Sequence, residues 1–308
     1  MKVLVTGNCG FIGTNFVKLF HKKYDIEGMD ALKYASDLEA TQHYCTTIIC
    51  DLSDGLDLES WLEPPYLPFD ACIHFAAESH VDNSISNPGV FVQSNIVGTF
   101  NLLECVRRGY INKLVHVSTD EVYGDLQPGD PPFSNPNIFN PSSPYSATKA
   151  AADMLVMSYI RTYGIDASIV RMSNNYGPHQ YEEKLIPVII DKASKDQKIP
   201  VYGTGKNMRE WIYVEDACKA IDDVLNLGKL GEVYNIGSGF EIENLDLVKK
   251  ILDLMGKPES LISFVEDRKG HDMRYFLDSS KIRNELGWKP EVSFEEGIQR
   301  TIDFYLEV

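Results

Sequence analysis

The stretch VTGNCGFIG, residues 5–13, closes one apolar run and opens an amphipathic one. Gly7, Gly10 and Gly13 fall between a predicted strand, KVLVTG from residue 2, and a helical pattern over residues 12–22. Glycines there permit a tight turn, let the backbone approach a pyrophosphate, and place its charge at a helix N-terminus. A glycine pattern alone is weak evidence; its context strengthens it. Asp30 ends the second predicted strand, YDIEGMD, 20 residues beyond Gly10. A carboxylate there accepts hydrogen bonds from an adenosine ribose and repels a 2′-phosphate, so NAD is expected rather than NADP. Asp51 follows the third strand and could reach the adenine. Helix capping is the plainer role for two such acids, and their position favours the cofactor.

The same alternation continues outward. Further predicted strands are TTIICD (to 51), FDACIHFAA (to 77), KLVHVSTD (to 120) and DASIVRMS (to 173), with helical patterns over 90–108 and 146–163. Near-continuous apolar strands with helical crossovers mean a parallel sheet covered on both faces. The expected fold is α/β, a Rossmann-type doubly wound parallel sheet with a smaller α/β substrate-binding lobe. Residues 1–175 are assigned to the dinucleotide domain, and 176–308 to a lobe interleaved with it. The Pro- and Asn-rich segment over 125–144 reads as a loop. Ligands bind outside the carboxyl ends of such strands, so the residues just after each strand carry the information.

The 308 residues leave room for one large domain or two ordinary ones. A net charge of −16 disfavours broad nucleic-acid binding, which needs clustered Lys and Arg. The six cysteines form no CxxC pair and sit in apolar runs, so buried free thiols and a reducing cytoplasm are expected. The start has no basic leader, and no stretch approaches the ~18 uninterrupted apolar residues of a membrane span. His74, His80 and His116 lack matched ligand spacing, so they are read as packed or hydrogen-bonded side chains, with no metal site.

In KLVHVSTDEVYGD, residues 113–125, an apolar strand ends in Thr119 and two adjacent carboxylates, Asp120 and Glu121. An isolated Asp-Glu pair is ordinarily a solvated turn; at the ligand edge of a sheet that reading weakens. YSATK supplies Tyr145 and Lys149, which share one helix face at i and i+4. Tyr202 and Lys206 repeat the spacing across two glycines, a coincidence in a segment unsuited to helix. A free tyrosine titrates near pH 10. A neighbouring ammonium and a cationic nicotinamide would lower that value, letting Tyr145 take a proton from a sugar or alcohol hydroxyl held by Thr119.

These motifs, TGxxGFIG, STDEVYG and YSATK, resemble the extended short-chain dehydrogenase/reductase superfamily. FAAESHVDNSI, SNNYGPHQYEEKLIP, GKNMREWIYVEDAC and RKGHDMRYFLDSSKIRNELGW are similar to its nucleotide-sugar 4,6-dehydratases, nearest those acting on dTDP-glucose. The resemblance runs over nearly the whole chain. It implies a lyase, one ionised and one protonated carboxyl with Glu121 as base and Asp120 as acid in an elimination of water, and a 4-keto-6-deoxy sugar as product. Unlike environments would split the two carboxyl pKa values.

The resemblance also implies which residues hold the ligands. For NAD they are Phe11, Ile12, Asp30, Ala31, Leu32 and Lys33, then Asp51, Leu52, Phe75, Ala76, Ala77 and Ser79, with Ser94, Tyr145, Lys149 and Asn175. For a nucleotide-diphosphate hexose they are Ser79, Thr119, Asn174, Lys184 and Leu185, then Pro200, Val201, Tyr202, Arg209 and Asn235, with Asp272, Arg274 and Tyr275. Lys184, Arg209 and Arg274 are the cations a diphosphate would need. A homodimer through helices of the NAD domain is implied as well. Departures from the family pattern are Asn8 and Cys9 in the glycine loop, Asn83 and Met273 in place of arginine, and Ser94 in place of threonine.

Three alternatives stand beside this reading. UDP-glucose differs from dTDP-glucose by a base methyl, a difference of only about 1–3 kcal/mol in an apolar pocket. A 4-epimerase or decarboxylase would need Thr119, Tyr145 and Lys149 but leaves Asp120 and Glu121 without a task. Outside enzymes, an NAD-sensing module would have no use for the tyrosine, the lysine or the acids.

Overall fold

Every residue of the first strand, β1 (Lys2–Thr6), after Lys2 is buried, and its side chains divide between two cores. Val3 and Val5 pack with Phe16, Val17, Ile221 and Val224, while Leu4 packs with Met29, Leu102, Leu103 and Val156. A strand that feeds a core on each side must lie in the middle of a sheet sandwiched by helices. Each fully buried leucine or valine of this kind contributes about 1.5–3 kcal/mol.

The computed structural model describes residues 1–62, 68–134 and 137–307. The remaining strands, in chain order, are β2 (Asp25–Asp30), β3 (Thr46–Ile49), β4 (Ala71–His74), β5 (Lys113–Thr119), β6 (Asp166–Met172), β7 (Asn174–Tyr176), β8 (Ile199–Tyr202), β9 (Met208–Tyr213), β10 (Val233–Ile236), β11 (Glu241–Glu243), β12 (Ile262–Val265) and β13 (Arg274–Tyr275). The main sheet runs β3-β2-β1-β4-β5-β6-β10, with every neighbouring pair parallel. This is the expected doubly wound α/β sheet, with its order reversing between β1 and β4.

The seventh strand, β10, comes from far along the chain, where the sequence reading placed only the lobe. It pairs with β6 through Tyr234 and Val170. The helix Val214–Leu227 also returns, packing its buried face on the helix Phe11–Phe20. The rest of the second half forms a small sheet, β11-β9-β13 with β7 beside β9, and a β12-β8 pair, around their own core.

Two local features aim side chains at the sheet edge. The helix Pro144–Tyr163 starts two residues earlier than its apolar pattern, because Ser143 and Ser146 form a reciprocal capping box and Pro144 sits in the first turn. Tyr145 therefore lies in that first turn. The single helix read over 90–108 is three segments, Pro88–Phe91, a π-helical Val92–Val97, and Gly98–Arg107. In the widened segment Asn95 accepts from the Glu78 N–H at 2.8 Å and donates to the Glu78 carbonyl and Thr148, both at 3.0 Å.

The loop over 125–144 carries buried Leu126 and Phe133 and is pinned by backbone bonds to Arg274, Phe276 and Asp278. Residues 135–136 of that loop lie outside the described residues. No described helix is long and apolar enough to cross a membrane.

Candidate active site

The glycine turn is fixed by close approach. Gly7 has φ +72°, and a Cβ there would stand 2.6 Å from the Ala76 nitrogen; one on Gly13 would collide with the Gly7 carbonyl oxygen. Gly10 caps the helix Phe11–Phe20 with no side chain on its first N–H groups, which leaves them free to face an anion. Asn8 and Cys9 turn away beneath the loop. Asn8 fills the space left by Gly28 and donates to Thr47 at 2.8 Å, and the Cys9 thiol meets the Thr41 hydroxyl at 3.4 Å.

One cleft runs from this turn across the carboxyl ends of β2 to β6. Gly7, Gly10, Phe11, Ile12 and Gly13 line it, followed by Asp30, Ala31, Lys33, Asp51 and Leu52. Its far wall holds Phe75, Ala76, Ala77, Ser79 and Ser94, and its end holds Tyr145, Lys149 and Lys184. Of the residues expected around NAD, Leu32 and Asn175 are outside this lining. Leu32 donates its N–H to Asp30 at 2.8 Å, and Asn175 donates to the Ser173 carbonyl at 2.9 Å.

Asp30 is buried and accepts from the Cys9 N–H, the Leu32 N–H and the Ser36 hydroxyl. Asp51 is held below the usual carboxylate range: against a burial effect that raises it, the Ser53 N–H and hydroxyl and the Lys33 ammonium at 3.3 Å pull it down. Ser118 Oγ and Ser173 Oγ are buried at the strand ends with no partner among the described residues. A glycine cradle, a buried carboxylate at the end of β2 and orphaned hydroxyls fit a dinucleotide.

At the end of β5 the chain tightens into a short 3₁₀ turn, Asp120–Tyr123, whose second N–H is capped: Glu121 N–H donates to the Thr119 hydroxyl at 3.3 Å. That hydroxyl donates to Asp120 Oδ1 at 3.1 Å and is near enough to the Tyr145 phenol to work against the burial that raises its pKa. The Asp120 carboxyl is raised well above its ordinary value by burial first, then by the charges of Glu121 and Glu210. Its Oδ2 has no partner among the described residues. Glu121 is raised too, by burial, but Arg209 and Lys184 act against the shift. Glu210, pushed up to about 7 by burial, accepts from the Gly239 and Leu277 N–H groups and stays behind the pair.

Among the protein's own groups, burial and then the Glu121 charge push the Tyr145 phenol up. Lys149 donates to the Val117 carbonyl at 2.7 Å, and burial lowers it to about 8.

On the substrate side the expected residues divide. Lys184 donates to the Ser79 carbonyl at 2.9 Å, and Arg209 donates only to the carbonyls of Met208, Asp272 and Met273. Neither has a carboxylate within ion-pair distance among the described residues, so both charges are available to an anion. Leu185 begins the helix Leu185–Ser194, whose N-terminus has no side-chain cap. Asn174 keeps a buried Oδ1 without a partner among the described residues. Tyr275 and Ser142 both donate to the Asp272 carboxylate. Tyr202 is partly exposed beneath the Arg268 guanidinium, with Pro200 two residues before it on β8.

Three expected contacts are already engaged. Arg274 donates two bonds to Glu241 and a third to the Asp130 carbonyl. Asn235 accepts from Tyr123 and donates to the Phe133 carbonyl. Val201 packs in the lobe core. These partners come from distant segments, which no local pattern displays.

The sequence reading assigned no role to Tyr34, Gln180, Tyr181 and Glu183, which also line the cleft. Glu183 adjoins Lys184, and Tyr34 lies four residues past the end of β2; proximity to assigned residues was the available signal. His74 is held between the hydroxyls of Thr6 and Thr99, at 2.8 and 3.0 Å, and His116 lies 3.4 Å from Asp153. His80 precedes the helix Val81–Ser86.

A parallel sheet with a phosphate-type turn, a Tyr–Lys pair and two unlike carboxyls defines a dinucleotide-dependent enzyme of the short-chain dehydrogenase/reductase type. The chain belongs to the GDP-mannose 4,6 dehydratase family, whose profile matches residues 4–301. It is 45% identical to the low-salt glycan biosynthesis protein Agl12 of Haloferax volcanii, over 99% of each chain. It is 45% identical to a dTDP-glucose 4,6-dehydratase of Xanthomonas campestris, covering 98% of this chain and 92% of that one. Among solved structures, the dTDP-glucose 4,6-dehydratase DesIV of Streptomyces venezuelae, crystallised with NAD bound, superimposes with a TM-score of 0.94 at 41% identity, over 100% and 97% of the two chains.

Proposed function

We propose that this protein is an NAD-dependent nucleotide-sugar 4,6-dehydratase that converts dTDP-glucose to its 4-keto-6-deoxy product and water. The observation that carries the reading is the juxtaposition of Asp120, Glu121, Thr119 and Tyr145 at the end of β5, beside a dinucleotide cleft.

Gly7, Gly10, Gly13 and Asp30 would hold NAD, with Asp51 and Lys33 towards its adenine end. When bound, NAD supplies a positively charged ring that accepts a hydride from sugar carbon 4 and later returns it to carbon 6. Tyr145 takes the proton of the hydroxyl on carbon 4, which Thr119 orients. The resulting ketone acidifies the hydrogen on carbon 5, and Glu121 removes it as a proton. Asp120, kept protonated by burial and its acidic neighbours, gives its proton to the hydroxyl leaving carbon 6 as water.

Glu121 exchanges that proton with solvent and then reprotonates carbon 5. The proton that Tyr145 collected passes through Thr119 to Asp120, which restores the acid. Lys184, Arg209 and the N-terminus of Leu185–Ser194 bind the diphosphate. The protein works as a cytoplasmic homodimer: Val92, Phe100 and Met154, each more than 40% exposed, lie on helices of the NAD side and offer an apolar face.

UDP-glucose is the second candidate, because only one base methyl separates it from dTDP-glucose. Incubation with each sugar nucleotide separately tests the reading. A 4-keto product from dTDP-glucose, with a lower kcat/KM for UDP-glucose, is expected; a 4-epimer as sole product would refute it.

A further inference from the structure

We infer that Tyr34 is a positioning residue that couples NAD binding to nucleotide-sugar binding, by tying the loop after β2 to Glu183 and so to Lys184. The inference rests on the function proposed above and extends it to a residue with no role there.

The tie begins at the carboxylate that faces the ribose. Asp30 Oδ1 takes the Leu32 N–H at 2.8 Å and the Ser36 hydroxyl at 2.9 Å, closing the loop on both sides of Tyr34. Leu32 pays for this geometry with φ +49°, a left-handed backbone that costs a non-glycine residue about 1–2 kcal/mol. A strained residue held by one carboxylate gives the loop an alternative, relaxed state. A ligand that shares Asp30 therefore acts on the balance between the two.

Tyr34 then crosses the cleft to the lobe. Its hydroxyl donates to Glu183 Oε1 at 2.9 Å and accepts from Asn83 Nδ2 at 3.1 Å. Its ring meets Tyr181 edge-on, with centroids 5.4 Å apart. Glu183 precedes Lys184, whose ammonium is anchored to the Ser79 carbonyl, and Lys184 in turn precedes the helix Leu185–Ser194. One phenol thus links the wall that holds the ribose to the cation and helix end that face the diphosphate. The side chain is 49% exposed, so losing its hydroxyl does not open the core.

Thermodynamic linkage supplies the test, since each ligand must then change the other's affinity by the same factor. NAD affinity is measured by competition against a fluorescent NAD analogue, with and without saturating dTDP, in the wild type and in Tyr34→Phe. In the wild type dTDP tightens NAD by about 5–150-fold, the usual range for coupled sites. In Tyr34→Phe both ligands still bind, and the factor falls to about 2 or less. An undiminished factor in the variant, or none in the wild type, overturns the inference while leaving the dehydratase reading in place. If neither ligand binds the wild type, that reading fails and the inference goes with it.

Discussion

The Thr119 hydroxyl donates to Asp120 Oδ1 at 3.1 Å and lies close enough to the Tyr145 phenol to act against the burial that raises its pKa. One oxygen therefore stands between the group proposed to collect a proton from the sugar and the group that must recover one. Thr119→Ser keeps this hydroxyl and should retain most of the activity. Thr119→Val removes it, and kcat should fall by about 10²-fold or more with dTDP affinity little changed. Wild-type kcat in the valine variant would dismiss the relay.

The two carboxyls have separable tasks. Glu121→Gln should let the substrate reduce the cofactor, visible by nicotinamide absorbance, yet release no water. Asp120→Asn should slow the elimination and remove the alkaline limb of the pH–rate profile, because the acid works only while protonated. An Asp120→Asn profile with the wild-type alkaline limb would assign that limb to another group.

The same shifts make pH-dependent statements about stability. The Asp120 carboxyl is raised in the fold, so the native state keeps its proton where the unfolded chain has lost it. Stability therefore falls as pH climbs from the ordinary carboxylate range through the folded pKa. Asp120→Asn should raise the melting temperature at neutral pH. Lys149 is lowered to about 8, so its contribution has the opposite slope: stability rises with pH from about 8 to the ordinary lysine value of 10.5. Thermal melts of Lys149→Met across that window should lack the rise.

The glycine turn tolerates no side chain at position 13. Gly13→Ala forces a methyl into the Gly7 carbonyl, so the turn must open. Loss of NAD binding by titration is expected, with destabilisation of about 1–3 kcal/mol. Unchanged affinity would show that the cradle lies elsewhere.

Beneath the site, Asp153 accepts from Arg171 Nε at 2.8 Å, and both side chains are buried. Asp153→Ala leaves the guanidinium without its carboxylate. Chemical denaturation should show a loss of about 3–5 kcal/mol.

Much of this was legible because it is local. Gly7 to Gly13, Asp30 and the Thr119–Glu121 triplet each follow an apolar strand directly, and strand ends define the ligand edge. The helical spacing of Tyr145 and Lys149 was readable for the same reason. What escaped depends on segments far apart in the chain. Glu241 engages Arg274, Tyr123 engages Asn235, and β10 returns to pair with β6 across more than sixty residues. Burial is the largest influence on the Tyr145 phenol, and it comes from packing that no local pattern displays.

The central claim is an elimination across carbons 5 and 6 of the hexose. The most direct measurement is turnover of dTDP-glucose in heavy water, with the product analysed by mass and proton spectroscopy. A 4-keto-6-deoxy product carrying one solvent deuterium at carbon 5 is predicted. A product that keeps its original hydrogen there would contradict the account, since Glu121 would have removed nothing.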